Sequence, residues 1–178
     1  LYLLKLAIVG YKEIRDGREQ KDFDYDLNIM FCDHDELWVT ENIKPLIQER
    51  LPNFERVAFG DDDLTLGMHY LDAVYDNVER SFKTVLLMSR AAILDHIFMT
   101  KFRIAVNHVS DTQVENVVLV FLDDIPVGEL PHLVRLYLSE HRAYLSWTED
   151  ERGQEYFWNE LLKRLNINLM INMMIPDE

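Results

Sequence analysis

Val117-Val118-Leu119-Val120-Phe121 is an unbroken apolar run with no polar residue alternating through it. A strand that is apolar on both faces must be covered on both faces, which is the situation of a central strand in a parallel sheet wound with helices. Val85-Leu86-Leu87-Met88, within the run Thr84 to Met88, has the same character. Outward from these two, shorter β-rich runs at Tyr25 to Phe31, Glu55 to Ala58 and Ala143 to Ser146 complete a predicted set of five strands. Helical patterns alternate with them. Val39, Ile43, Leu46 and Ile47 share one helical face, with Pro45 predicted to kink that helix or delay its start, and Pro52 closes the segment. After Gly67, residues Tyr70, Leu71, Val74 and Val78 recur at helical spacing with Asp72, Asp76 and Arg80 opposite. Asp76 and Arg80 are an i,i+4 pair, expected only to solvate that face. Ile97, Phe98, Phe102 and Ala105 predict a third helix, and Phe157, Trp158, Leu161, Leu162 and Leu165 a terminal one. Phe157 and Trp158 read as core anchors of that last helix.

A chain of 178 residues, 48% of them apolar, suits one compact α/β domain and excludes long disorder. Thirty-two acidic against eighteen basic residues give a net charge of −14, which repels phosphate backbones and excludes nucleic acid as a partner of this domain. The single cysteine, Cys32, cannot form an internal disulfide and reads as a buried small hydrophobe in a reducing compartment. His34, His96, His108, His132 and His141 are scattered, so no metal site is expected. The opening run Leu1 to Val9 is apolar but falls well short of the ~20 residues that cross a bilayer. It reads either as an element packing on the domain or as the cytosolic end of a membrane span. Gly10 to Asp24, with Lys12, Arg15, Arg18 and Lys21, has the look of a juxtamembrane linker. The expected boundaries are therefore a linker over 1–24, a domain over 25–166 and an apolar tail over 167–178. That tail is expected to fold back on the core or to meet a partner.

Function in a doubly wound sheet collects in the loops at the carboxyl ends of the strands. Three such loops stand out: Cys32 to Glu36, Gly60 to Gly67 and Leu122 to Pro126. Their acids invite a magnesium-dependent phosphoacceptor reading, which also requires an aspartate ending the third strand and a lysine ending the fifth. Those ends are Leu87-Met88-Ser89 and Leu145-Ser146-Trp147, so that reading is excluded. A calcium loop fails because Asp61-Asp62-Asp63 lacks alternating ligand spacing. Exposed charged turns, with neither metal nor cofactor, are what remains.

Taken in order, these features resemble the Toll/interleukin-1 receptor (TIR) domain, specifically that of Toll-like receptors. Tyr25-Asp26-Leu27-Asn28-Ile29-Met30-Phe31 is similar to its first-strand motif, with Asn28 and Met30 departing from the pattern. Asp62-Asp63-Leu64-Thr65-Leu66-Gly67 resembles the docking loop of the family, the BB loop. Asp72 to Val85, Leu119 to Pro126, Tyr144 to Trp147 and the Phe157-Trp158 pair follow the receptor pattern in turn.

The resemblance implies a flavodoxin-like five-stranded parallel sheet flanked by helices on both faces. It implies signalling in innate immunity by homotypic association with other TIR domains, recruitment of TIR-containing adaptors, and a place on the cytoplasmic side of a membrane below a preceding transmembrane helix. The implied partner-binding residues are Asp61, Asp62, Asp63, Leu64, Thr65, Leu66, Gly67, Met68 and His69, with His69 an exposed surface histidine. Leu64 and Leu66 are expected as apolar tips beside a charged rim. Where the family places arginine and proline, this loop has Asp62 and Leu66, which favours a basic partner surface and a more mobile loop. Two alternatives are a soluble TIR adaptor and an NAD-cleaving TIR enzyme. The latter carries a glutamate on the helix after the third strand, whereas Ile97 to Ser110 contains no acid and offers Lys101 and Arg103. No catalytic residue is expected.

Overall fold

The computed structural model describes residues 19–112, 114–140, 142 and 144–166, with the backbone of Leu169–Met170. The apolar start, the linker up to residue 18, His141, Ala143 and most of the apolar tail lie outside the described residues. Five strands form one sheet: β1 Tyr25–Met30, β2 Val57–Phe59, β3 Ser81–Met88, β4 Val117–Phe121 and β5 Tyr144–Ser146. Their order is β2-β1-β3-β4-β5 and every neighbouring pair is parallel. The flavodoxin-like sheet read from the sequence is thus the sheet observed, with no strand end moved by more than three residues.

The unbroken apolar runs divide by alternation. Leu86 and Met88 of β3 join Val117, Leu119 and Phe121 of β4 in one core, while Val85 and Leu87 join Val118 and Val120 in the other. Helix α1 spans residues 36–50 and α6 is Glu151–Leu165; both cover the second core through Val39, Ile43, Leu46, Phe157 and Leu161. The first core is covered by α2 (Tyr70–Glu79), the short α3 (Arg90–Leu94), α4 (His96–Thr112) and α5 (His132–Ser139). Val114–Glu115 pairs antiparallel with Leu169–Met170 as a separate two-stranded ribbon.

Pro45 leaves its mark in α1 without ending it. Val39–Ile43 winds as a π turn, in which the Lys44 N–H reaches back five residues to the Val39 carbonyl, and Pro45 then sits in the first turn of Lys44–Arg50. The amide that proline lacks is absorbed by widening one turn. Helix α5 was not foreseen. Its stripe of Leu133, Val134, Tyr137 and Leu138 packs on the first core, Val134 and Tyr137 buried and the two leucines partly so, and that spacing is present in the sequence.

The start of β1 is fixed by Asp26, which is 3% exposed. Its carboxylate accepts from the Glu55 and Arg56 backbone amides at 3.1 and 2.9 Å, from the Arg56 guanidinium at 2.7 Å, and from Gln20 at 3.1 Å. One side chain thereby stitches β1 to the entry of β2.

Candidate functional site

In this strand order the chain reverses direction of winding between β1 and β3, and the loops above those two strands part there to leave a crevice. It encloses about 220 Å³ and is lined by Phe31, Cys32 and Asp33 after β1, by Asp61 after β2, and by Tyr70, Asp95, Ile97, Phe98 and Lys101. The loop after β2 forms one wall.

That loop runs from Gly60 to His69 and is bounded by two glycines with positive φ, Gly60 at 57° and Gly67 at 83°. A Cβ at Gly60 would meet the Phe31 ring at 3.1 Å, whereas Gly67 faces open space and needs only its left-handed backbone. Three tethers hold the first half. Asp61 receives the Lys101 ammonium at 2.6 Å and the Tyr70 hydroxyl at 2.9 Å. Asp63 accepts the Phe59 amide at 2.8 Å. Thr65 donates to Asp76 at 3.1 Å and accepts from Arg80, which also pairs with Asp24 at 2.6 Å. The expectation that Asp76 and Arg80 only solvate their face is corrected: the pair clamps the loop to α2 and to the residue before β1.

The nine residues from Asp61 to His69 therefore separate by role. Asp61 pairs with Lys101 and Tyr70 while half of its side chain stays exposed, Asp63 turns its carboxylate to the Phe59 amide, and Asp62 is exposed. Leu64 does not form an apolar tip as expected. The turn bond from its amide to the Asp61 carbonyl swings it inward against the first core, where it is partly buried. The tip is Leu66, 96% exposed, with Met68 exposed beside it, then Gly67 and His69. The tethers at Asp61, Asp63 and Thr65 all precede Leu66, so they constrain the first half of the loop up to the residue before its tip. Tyr70, Leu71 and Ile97, foreseen on buried helical faces, are exposed. Tyr70 and Ile97 border the crevice, so exposed apolar surface extends from the loop along the crevice further than the loop's own sequence indicates.

Lys101 is nearly buried on α4, directly across from the loop. Burial works against its charge, but hydrogen bonds with Asp61 and Tyr70 outweigh that and hold its pKa above the ordinary value. Asp61 is half exposed, so Lys101→Met is expected to cost only about 1 kcal/mol of stability. Its clearer effect is faster hydrogen exchange over residues 61–65, measured by mass spectrometry.

Beneath the crevice, Cys32 is 4% exposed and donates its S–H to Asp35, 3.1 Å away, which also accepts from the Ser89 hydroxyl at 2.6 Å. Burial first, then the Asp35 carboxylate, push the thiol up to about 11. At neutral pH it stays protonated and inert. Labelling with a chromogenic disulfide should be slower in the native chain than in denaturant by roughly a hundredfold or more.

No family model matches the chain. Among solved structures, the TIR domain of the Toll-related receptor TRR-2 from Hydra magnipapillata aligns with a TM-score of 0.62 at 20% identity, over 80% of this chain and 99% of that one. The chain folds as a Toll/interleukin-1 receptor (TIR) domain. A TIR-STING receptor from C. gigas, solved in complex with 2',3'-cGAMP, shares the TIR fold at 19% identity and a TM-score of 0.62, over 86% of this chain and 43% of that one. Toll-like receptor 12 of Mus musculus is 29% identical over 169 residues, covering 92% of this chain and 19% of the receptor. Toll-like receptor 2 type-2 of Gallus gallus is 24% identical over 182 residues, covering 90% and 23%. The chain spans about a fifth of the length of these curated relatives.

Proposed function

We propose that this TIR domain is the signalling module of a Toll-like receptor, working by association with a second TIR domain and by recruiting TIR-containing adaptors. The observation that carries the reading is Leu66, an almost fully exposed leucine at the tip of a loop whose base is held by three side-chain tethers. A pre-positioned apolar residue inside a polar rim is the composition of a protein contact, because ordering it beforehand lowers the entropy lost on binding. The similarity to Toll-like receptors over most of this chain supports the receptor assignment, and with it a place on the cytoplasmic side of a membrane below a transmembrane helix. Among the described residues no helix is long and apolar enough to cross a membrane.

Asp62 and the exposed half of Asp61 give the rim a negative sign, so the partner surface is basic. Pull-down with TIR adaptor domains at two salt concentrations tests this. Binding should weaken as ionic strength rises, since the screening length drops from about 30 Å at 0.01 M to about 8 Å at 0.15 M. Salt-insensitive binding would place the contact on another face.

The crevice at the reversal point keeps a second reading open, cleavage of NAD. Asp33, Asp61 and Asp95 line that space with Lys101, whose ammonium is paired with Asp61, but the helix segment Ile97 to Ser110 carries no carboxylate to meet the positive charge that develops as a glycosidic bond breaks. Release of nicotinamide by the purified chain above a buffer control would favour the enzyme.

A further inference from the structure

Two carboxamides are buried under the docking loop, Asn28 on β1 and Asn77 on α2, each 2% exposed. Asn77 donates through Nδ2 to the Asp63 carbonyl at 3.4 Å, so it already touches the loop. Among the described residues, however, its Oδ1 accepts from no group and Asn28 Nδ2 donates to none. Leaving a buried donor and a buried acceptor unmet is costly. Both residues line the same small cavity of about 10 Å³, together with Met30, Asp61, Leu64 and Lys101.

The cavity selects its occupant. A volume of this size is close to the space one water molecule needs. What joins the two carboxamides must accept from an N–H and donate to a carbonyl oxygen. A metal cation cannot accept, and a simple anion cannot donate. Water does both.

We propose that one water molecule is an integral part of this protein, held between Asn28 and Asn77 beneath the docking loop. It bridges β1 to α2, and through Asn77 it steadies the Asp63 end of the loop. This gives a purpose to Asn28, a polar residue inside an otherwise apolar strand segment from Leu27 to Met30.

The test is water–protein NOE spectroscopy on the full ¹⁵N-labelled chain. The expected result is a cross-peak between water and the side-chain amide protons of both Asn28 and Asn77, with the sign of a long-lived water. In Asn28→Leu the Asn77 cross-peak should vanish and exchange at the Leu64 amide should quicken roughly tenfold. The wild-type spectrum decides even if that variant fails to fold. No water contact at either carboxamide, an Asn77 peak that persists in the variant, or a crystal structure in which the two side chains bond directly would each overturn the proposal.

Discussion

Asp26→Ala should destabilise the domain by about 3 kcal/mol, because it strands two backbone amides and half of a guanidinium that the carboxylate now satisfies. For a chain of this size that is a fall in Tm of about 6–12 °C, read by calorimetry. The size of the effect follows from burial, and a neighbour supplies the control. Asp24 makes an ion pair with Arg80 that is equally short, yet its side chain is 62% exposed. Asp24→Ala should cost less than about 1 kcal/mol. If the two substitutions proved equivalent, the Asp26 cluster would not be the clasp between β1 and β2.

The same carboxylate sets an acid limb. Burial alone would raise the Asp26 pKa, but the Arg56 guanidinium, the Arg56 amide and Gln20 outweigh burial and hold it below the ordinary carboxylate range. A carboxyl depressed in the folded state binds its proton more readily in the unfolded chain. Its stabilisation is therefore fully present above the ordinary value of about 4 and is lost as pH falls through the depressed one. Wild type and Asp26→Ala should accordingly converge in stability at low pH, and chemical denaturation across pH 2–6 would show it.

The sheet was legible because its strongest signal is local. An apolar run in which neither parity of position is polar has one stable environment, and Val85 to Met88 and Val117 to Phe121 each state it within five residues. The candidate site was legible as a segment and illegible as a geometry. Asp61 and Lys101 stand forty residues apart in the chain and meet only because α4 returns over the crevice. Leu64 and Leu66 look alike in the sequence, and one hydrogen bond to the Asp61 carbonyl turns the first inward and leaves the second in solvent. Turn dihedrals of that kind are fixed by tethers from α2 and α4, which no local pattern encodes. Tyr70 and Ile97 failed for a related reason. Helical periodicity identifies an apolar face, but the crevice removes the layer that would have covered its edge.

Leu66→Asp should abolish association while leaving the fold intact. The side chain is 96% exposed, so its replacement removes almost no core contact and should move stability by less than about 0.5 kcal/mol. At an interface the arithmetic reverses. An apolar anchor seated in a partner pocket is worth about 2 kcal/mol or more, roughly thirtyfold in Kd, and a carboxylate forced into that pocket adds its own desolvation cost. Leu64→Ala discriminates between the two leucines: it should lower Tm, since Leu64 leans on the core, and weaken binding less than Leu66→Asp does. Asp62→Arg, on an exposed rim, should leave Tm unchanged and slow association with a basic partner. Surface plasmon resonance against a TIR adaptor, paired with melting curves for each variant, separates these outcomes. Full binding by a correctly melting Leu66→Asp chain would remove the loop tip from the interface and shift the search to Ile97 and Tyr70, the exposed apolar residues that line the crevice.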